Sequence, residues 1–387
     1  MRLSKLRVCL VGGPDVDARL ELMHELANSF DVCAVGTEPA LAESFAREGL
    51  RYRSYTMSRR VTPLLDLYAV WQLVRIFHAE QPAIVHTFDT KPAVWGRVGA
   101  RLARVPVVIG TLPGLGSLYS TPDWRGRLAR HAYQPLQTLA CRVADVTIFQ
   151  NEDDLHEFRR RRVVTRDGST VIRGSGIRTD LFAPGHADAA PLPRSELGLP
   201  DSGLVVLMVS RLLRSKGVLE FAAAARAVRS EDSSVNFLLV GAADSGSLDK
   251  LTAAELEEVR RSVTWAGHRN DVKNVLAAAD VFVFPSYYRE GIPRVLLEAA
   301  SMGLPLVAAN VAGSRDVVDD GVNGFLVPPR DVPAHTDAVL HLVRAPELRR
   351  RFGASSRSRA MSHFDSSLVA ANTASLYRTL LEGKQLA

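Results

Sequence analysis

Short apolar runs alternate with longer amphipathic stretches along the whole chain. The short runs are rich in β-branched residues and predict buried strands, whereas the longer stretches have apolar positions at helical spacing. Strands that alternate with helices in this way are typical of a doubly wound parallel sheet, an α/β fold. In the first half the pattern predicts strands at Leu6–Val11, Val32–Val35, Ala83–Phe88, Val107–Thr111, Val146–Gln150 and Thr170–Ile172. It predicts helices there at Asp15–Ser29, Pro63–His78, Pro92–Arg104 and Trp124–Ala144.

A second series of the same kind follows a stretch rich in proline and glycine, Ala183–Pro200, which reads as a linker. Two Rossmann-like domains in tandem are therefore expected, over residues 1–190 and 200–365, with an active site in the cleft between their strand ends. A further helical stretch, Ser366–Leu381, has no strand after it. The predicted strands of the second series are Leu204–Val209, Phe237–Val240, Val263–Ala266, Val281–Pro285, Leu306–Ala309 and Phe325–Val327.

The composition is that of a globular protein, with 387 residues of which 47% are hydrophobic and 23% charged. The sequence has neither the long apolar run of a membrane span nor the apolar segment of a signal peptide near Met1. Its three cysteines, Cys9, Cys33 and Cys141, lack metal-binding spacing and predict buried thiols in a reducing compartment. These features predict a cytoplasmic protein.

The net charge of +6 lies entirely in the first half. Residues 1–195 contain 26 Lys and Arg against 20 Asp and Glu, while residues 196–387 contain 22 of each. Such a bias suits an anionic membrane surface, a nucleic acid or an anionic substrate, and it also suits an ordinary solvated surface. Nucleic acid is disfavoured because the basic residues lack interleaved aromatic residues and a recognition motif.

Gly12 and Gly13 directly follow the first predicted strand. They predict a tight turn or a point where substrate approaches the first domain. No GxGxxG motif is completed here, which argues against a dinucleotide cofactor.

Two glutamates, Glu290 and Glu298, flank the start of a predicted helix that Pro293 is suited to open. The backbone N–H groups of Gly291 and Ile292 lie between the two carboxylates. A helix N-terminus attracts phosphate, and carboxylates accept hydrogen bonds from sugar hydroxyls. This combination predicts a nucleotide-sugar site.

Two cations follow the first strand of the second domain. Arg211 leaves the end of the strand, and Lys216 precedes the next helix, so both are expected at the edge where a diphosphate would need them. The alternative is that they are ordinary loop cations. The loops after the neighbouring strands add further candidates. Gly241 follows the second strand, and Gly267 and His268 follow the third, where they could contact the edge of a base. Gly313 and Ser314 follow the fifth strand and are expected near the phosphates.

The segments Val209–Gly217, Pro285–Ala308 and Asp319–Pro328 resemble retaining glycosyltransferases of family four, which have the GT-B fold. The resemblance extends over essentially the whole chain. It implies that Glu298 holds the donor ribose, that Glu290 with Gly291 and Ile292 binds the transferred sugar and its phosphate, and that Arg211 and Lys216 stabilise the leaving diphosphate. It also implies a nucleotide-sugar co-substrate, commonly UDP-linked, without a metal or another cofactor. The final segment, 366–387, is expected to cross back to the first domain.

Two segments of the first half, Val85–Arg101 and Gly110–Tyr119, resemble the capsule and N-glycan-precursor branch of that family. Members of this branch add a sugar to an undecaprenyl-diphosphate-linked saccharide at the inner membrane face. By this resemblance Arg59, Arg60, His86 and Lys91 would lie near the acceptor. Related enzymes often have a histidine before the glycine of the second segment, where this chain has Pro113.

The stretch Leu64–Phe77 is apolar at 11 of its 14 positions, with Arg59 and Arg60 just before it. A helix that is apolar on nearly every side is either buried in protein or placed in a lipid interface. The arginines favour contact with anionic lipid, while burial under neighbouring helices explains the same residues. The run Arg159–Arg162 predicts a solvated helix end.

The leading hypothesis is thus a peripheral-membrane glycosyltransferase of surface-polysaccharide or glycan-precursor assembly. A nucleotide-sugar epimerase on the same scaffold is one alternative, disfavoured by the apolar, basic first half. A non-catalytic nucleotide-sugar-binding protein is another, disfavoured because Arg211, Lys216, Glu290 and Glu298 are all present.

Overall fold

The computed structural model describes residues 5–58, 62–89, 91–112, 114, 124–244, 246–247 and 249–385, with the backbone alone over 124–132. The chain forms two compact units, one of Met1–Gly176 with Ser366–Ala387 and the other of Ile177–Asp365. Each unit is a parallel sheet with helices on both faces, as the alternating pattern predicts.

The first unit is built on a seven-stranded sheet of order β3-β2-β1-β4-β5-β6-β7. Its strands are β1 (Arg7–Val11), β2 (Asp31–Gly36), β3 (Arg51–Ser54), β4 (Ile84–Thr87), β5 (Val107–Leu112), β6 (Val146–Phe149) and β7 (Ser169–Val171). Its helices are α1 (Leu20–Ala27), α2 (Leu41–Arg47), α3 (Pro63–Glu80), α4 (Lys91–Leu102), α5 (Trp124–Val143), α6 (Glu152–Arg160) and α14 (Ser366–Gly383).

The second unit is built on a six-stranded sheet of order β10-β9-β8-β11-β12-β13. Its strands are β8 (Val205–Val209), β9 (Asn236–Val240), β10 (Thr264–Trp265), β11 (Val281–Phe284), β12 (Leu306–Ala309) and β13 (Gly324–Val327). Its helices are α7 (Val218–Glu231), α8 (Ala253–Ser262), α9 (Val272–Ala277), α10 (Arg294–Ser301), α11 (Ser314–Val317), α12 (Val332–Arg344) and α13 (Pro346–His363).

The central strands are buried on both faces, which is why they read as continuous apolar runs. In the first sheet, Cys9 of β1 lies beside Cys33 of β2, and both are buried free thiols, as is Cys141. None of the described helices combines the length and the apolarity needed to cross a bilayer.

The structure divides the chain at Gly176, upstream of the predicted linker Ala183–Pro200. Residues 177–190, assigned from the sequence to the first domain, belong to the second unit because they are bonded to it. The N–H of Ile177 donates to the carbonyl of Phe364 at 2.9 Å. Arg357 of α13 donates to the carbonyls of Thr179 and Phe182 at 2.8 and 2.7 Å.

Several elements were not predicted. Strand β3 is an edge strand of sequence RYRS and has no apolar run, and the short helices α2 and α6 were also missed. The predicted helix Asp15–Ser29 is a 3₁₀ turn, Val16–Arg19, followed by the shorter α1.

Candidate functional site

The loop after β8, residues 210–217, lies between the loops that follow β9 and β11, because β8 pairs with both strands. The carboxyl ends of parallel strands share one edge of a sheet, and this edge of the second unit gathers most of the predicted donor residues. The loop ends in a short 3₁₀ turn, Arg214–Lys216, and Gly217 caps α7.

Ser215 fixes this loop to its neighbour. Its carbonyl accepts the N–H groups of Tyr287 and Tyr288 at 2.9 and 3.1 Å. Its own N–H donates to Asp249 at 2.9 Å, and its hydroxyl bonds the same carboxylate. Gly217 has a φ of 77°, and a Cβ there would lie 2.4 Å from the carbonyl oxygen of Pro285. The two loops therefore pack backbone against backbone.

Lys216 and Glu290 form an ion pair at this junction. The lysine side chain is only 11% exposed and the glutamate 23%, and Lys216 Nζ also lies 5.0 Å from the ring centroid of Tyr288. The ammonium is thus fixed by a carboxylate and an aromatic face. The structure brings these two predicted catalytic residues together.

Arg211 contacts the loop on the opposite side, the one that follows β9. Its guanidinium is 59% exposed and pairs with Asp244, in the loop after β9, at 3.0 Å. The two cations of one loop are therefore bonded to the loops on its two sides. Arg214, between them, is a structural residue, since it makes a two-point contact with Glu255 at 2.9 and 2.6 Å and lowers the pKa of that carboxyl to about 2.

Glu298 lies on the second turn of α10 and accepts from Arg294 at 3.0 Å, one turn earlier. Pro293 is the N-cap of α10 with extended backbone and is not inside the first turn, which corrects the expectation from the sequence. Gly291 and Ile292 lie between the two glutamates as expected. Their N–H groups are the predicted phosphate contacts, and both residues also take part in an interaction within the chain.

Gly313 brings the loop after β12 onto this segment. With a φ of 82°, it places its backbone so close to Gly291 that a Cβ would lie 1.7 Å from the Gly291 carbonyl oxygen. The hydroxyl of the next residue, Ser314, is buried and has no hydrogen-bond partner among the described residues.

The predicted base-reading loops also meet. The N–H of Gly241 donates to the carbonyl of Gly267 at 2.7 Å, and the indole N–H of Trp265 donates to the carbonyl of Gly241 at 2.9 Å. His268 is exposed, 3.1 Å from the amide oxygen of Asn270. The loops after β9 and β10 thus form a joined backbone surface with an exposed imidazole.

In the first unit, Gly12 and Gly13 lie beside a residue that the sequence did not single out. Asp89 accepts the N–H of Gly13 at 3.0 Å and pairs with Arg19 at 2.7 Å. Its φ of 66° is unusual for a residue other than glycine. The segment HTFD at the end of a predicted strand was the available signal.

His86, expected near the acceptor, is buried in the first unit with 1% exposure. Its Nδ1 lies 2.6 Å from the hydroxyl of Tyr377 in α14, and its Nε2 lies 2.7 Å from the hydroxyl of Thr111. Burial, with Arg97 and Arg19 nearby, lowers the pKa of His86 to about 3, so the ring is neutral at physiological pH. It lines a cavity of about 20 Å³, room for roughly one water molecule.

Lys91 begins α4 and pairs with the buried Asp66 of α3 at 2.6 Å, while donating to the carbonyl of Ser58 at 2.9 Å. It therefore holds the start of α3 and the chain just before it. Arg59, Arg60 and Pro113 lie outside the described residues.

Helix α3, which contains the apolar stretch 64–77, is buried on one face and exposed on the other. One face, with Ala69, Leu73 and Phe77, is core. The opposite face of the first turns is exposed and apolar, with Leu64 83% exposed and Trp71 50% exposed. Further exposed residues on it are Leu65, Leu67 and Tyr68.

The donor edge of the second unit can therefore offer a fixed ammonium, two carboxylates and a backbone surface to one ligand. Among the described residues, no group of three or more His, Cys, Asp or Glu side chains could hold a metal ion.

Known proteins share this architecture. A family described as "Glycosyl transferase 4-like domain" matches residues 12–174, and one described as "Glycosyl transferases group 1" matches residues 203–345. The UDP-Gal:alpha-D-GlcNAc-diphosphoundecaprenol alpha-1,3-galactosyltransferase of Escherichia coli is 29% identical over 290 residues, 74% of this chain and 73% of that protein. The capsular polysaccharide biosynthesis glycosyltransferase CapM of Staphylococcus aureus is 26% identical over 335 residues, 85% of this chain and 86% of that protein.

A solved structure gives the same result for the fold. The structure of HepE from Anabaena in complex with UDP superimposes with a TM-score of 0.78 at 20% identity, covering 97% of this chain and 100% of that one. The second unit therefore contains a glycosyltransferase group 1 domain and the first unit a glycosyltransferase 4-like domain, and the chain has the GT-B fold.

Proposed function

We propose that this enzyme is a retaining glycosyltransferase that moves a sugar from a UDP-sugar to a polyprenyl-diphosphate-linked saccharide during surface-polysaccharide or glycan-precursor assembly. The observation that carries the proposal is the Lys216–Glu290 pair, fixed at the start of α7 by Ser215 and Tyr288. The related galactosyltransferase is named for a UDP-galactose donor and a diphosphoundecaprenol acceptor, which supports the choice of both substrates.

In the proposed reaction the bond between the anomeric carbon and the donor phosphate oxygen breaks, and its electron pair stays on the phosphate. The acceptor hydroxyl attacks the same face of the sugar and passes its proton to the leaving phosphate. Negative charge develops on the diphosphate, so an ammonium held in advance favours the transition state. Lys216 supplies that ammonium without a metal ion, and Glu290, its partner, faces the sugar hydroxyls.

Glu298 would bind the donor ribose. Its side chain is 13% exposed and pairs with Arg294, and an ionised carboxylate is a hydrogen-bond acceptor of the kind that ribose hydroxyls need. Arg211, paired with Asp244 and 59% exposed, would reach the diphosphate by exchanging that partner.

The acceptor is a lipid, so we also propose that the enzyme acts at the cytoplasmic face of an anionic membrane. The exposed apolar face of α3 and the basic excess of residues 1–195 support this location.

The decisive experiment is a nucleotide-sugar screen that measures release of free nucleotide, with and without a polyprenyl-diphosphate-linked saccharide. We expect release from a UDP-sugar that depends on the acceptor, together with a product of retained anomeric configuration. Acceptor-independent conversion of the sugar would indicate an epimerase, and binding without turnover of any donor would indicate a non-catalytic protein. Either result would overturn the proposal.

Donor binding can be tested separately with Glu298→Gln. We expect weaker UDP binding in a titration, because the ribose hydroxyls lose a charged acceptor. Glu257→Gln is the matched control, since the exposed Glu257 side chain on α8 also pairs with an arginine one helical turn away. Equal UDP affinity in both variants would remove Glu298 from the site.

A further inference from the structure

Tyr287 lies in the loop that contains Glu290, and its backbone contacts the residue before Lys216. Its N–H is one of the two that the Ser215 carbonyl accepts, and Ser215 immediately precedes Lys216. The next residue, Tyr288, faces the Lys216 ammonium. The position of Tyr287 therefore determines how the loop after β11 lies against the loop after β8.

The Tyr287 side chain is held by a residue from a third loop. The guanidinium carbon of Arg330, which follows β13, lies 4.1 Å from the centroid of the Tyr287 ring. Burial raises the pKa of Tyr287, and the positive charge of Arg330 opposes that rise. Its backbone has a φ of 65°, a left-handed conformation that costs free energy for arginine. The fold thus keeps this arginine in a strained position over the ring.

A partly buried carboxylate, that of Glu220, belongs to the same group. Glu220 lies in the first turn of α7, and α7 packs against α12, the helix that follows Arg330. One carboxylate oxygen of Glu220 is buried without a hydrogen-bond partner among the described residues. Burial raises the pKa of Glu220, and the positive charge of Arg330 opposes that rise. Glu220 and Tyr287 therefore flank Arg330 with a negative charge and an aromatic face.

None of these three residues is needed to bind a donor in the proposed reaction. Their contacts run to the loop backbone, through Tyr287 to Ser215 and from there to Lys216. A brace of this kind would set the position of the ammonium without touching the substrate.

We propose that Arg330 is a positioning residue which, through Tyr287 and the Ser215 carbonyl, holds Lys216 and Glu290 in their catalytic arrangement. This proposal rests on the proposed sugar transfer. It commits the exposed Arg330 to the Tyr287 ring and not to the donor phosphates.

The test compares Arg330→Ala with Arg330→Lys and with Arg351→Ala. Arg351 is the matched control, because its exposed side chain also lies over an aromatic ring, that of Phe352 at 5.5 Å, but on α13, away from the loop after β11. Three quantities are measured on the full chain: hydrogen exchange of the Tyr287 and Tyr288 amides, UDP affinity, and kcat with the best donor and acceptor.

We expect Arg330→Ala to speed exchange of both amides and to lower kcat, each by about tenfold, the size of one partly buried cation–π contact. UDP affinity should change less than about twofold, and Arg330→Lys should restore part of kcat because it keeps the charge over the ring. Arg351→Ala should leave all three quantities unchanged.

Unchanged amide exchange and kcat in Arg330→Ala would overturn the proposal. So would a loss of UDP affinity as large as the loss of kcat, because that would indicate direct contact with the donor. If the wild-type protein transfers no sugar, the proposed function fails, while the exchange of the two amides still decides whether Arg330 braces Tyr287.

Discussion

Lys216 and its neighbour Gly217 are positioned by three contacts with one segment, residues 285–290, which follows β11. Glu290 pairs with its ammonium, the Tyr288 ring lies beside it, and Gly217 lets the following helix begin directly against Pro285. A lysine side chain normally loses considerable rotamer freedom when it is fixed. Here the lysine loses this rotamer freedom during folding, so no further side-chain entropy has to be lost when the transition state forms.

We therefore expect Lys216→Ala to lower turnover by more than about tenfold while the protein stays folded, because a fixed cation contributes about 2.7–4 kcal/mol to such a barrier. Turnover and the unfolding midpoint should both be measured. Lys273→Ala, a lysine of α9 in the same unit, should behave as wild type. Near-normal turnover of Lys216→Ala would refute its assignment.

At the scale of residues, the sequence predicted which side chains form the candidate site better than it predicted their salt-bridge and hydrogen-bond partners. The positions of Glu290 and Glu298 followed from a motif after one strand and that of Lys216 from a motif after another, and the structure gathers the three at one sheet edge. The salt-bridge partner of Arg211 could not be predicted, because Asp244 comes from a loop 33 residues away. Burial of His86 also depends on a distant residue, Tyr377, 291 positions along the chain.

At the scale of elements, the donor edge depends on close approach between loops. Gly313 and Gly291 touch backbone to backbone, which only a glycine at position 313 allows. The loop after β12 therefore packs against the segment before α10, which lies between Glu290 and Glu298.

Gly313→Ala should destabilise the second unit and weaken UDP binding, because the new Cβ displaces the Gly291 segment. Gly321→Ala is the matched control, since its φ of 73° is similar but no atom lies within 4 Å of the added Cβ. That control should lose only about 1 kcal/mol of unfolding free energy. Equal unfolding midpoints for the two variants would show that the 313–291 contact is unimportant.

His86 makes the first unit sensitive to acid. Its folded-state pKa of about 3 lies below the ordinary value of 6.5, so below pH 6.5 the unfolded state binds a proton that the folded state does not. Its contribution is therefore present above pH 6.5 and is lost as the pH falls towards 3, at about 1.4 kcal/mol per pH unit.

We expect His86→Gln to flatten the pH dependence of the unfolding free energy between pH 6.5 and 4, measured by denaturant titration. His24→Gln, a change at an exposed histidine of α1, should leave the slope as in wild type. A slope that is the same in all three proteins would show that His86 does not titrate in this window.

The strands of both sheets were predictable because nearly every central strand is an uninterrupted apolar run. Strand β3 was not, because an edge strand can expose polar side chains such as those of Arg51 and Arg53. Pro293 caps α10 and does not lie inside its first turn, a difference of one position that sequence patterns do not resolve.

At the scale of the whole molecule, charge and apolar surface both favour the first half of the chain. Residues 1–195 carry the entire net charge, and the exposed apolar face of α3 lies in the first unit. Lys91 and Asp66 fix the beginning of that helix. This combination suits shallow insertion into an anionic interface.

We expect the protein to float with vesicles that contain phosphatidylglycerol at low salt, and Leu67→Glu to reduce the bound fraction roughly tenfold, because an exposed leucine loses its burial in lipid. Leu368→Glu, at an exposed leucine of α14 in the same unit, is the matched control. Equal flotation of both variants, or none of the wild type, would overturn the assignment of this face to lipid.

The placement of α14 governs how the protein can fold during synthesis. Val369, Ala374 and Tyr377 of this helix belong to the same apolar cluster as Val8 and Leu10 of β1. The first unit thus cannot complete its core until the residues after 365 have been synthesised, whereas every residue of the second unit is synthesised before them. A chain that ends at residue 365 would contain every residue of the second unit but would lack α14 of the first, the reverse of the usual N-to-C order.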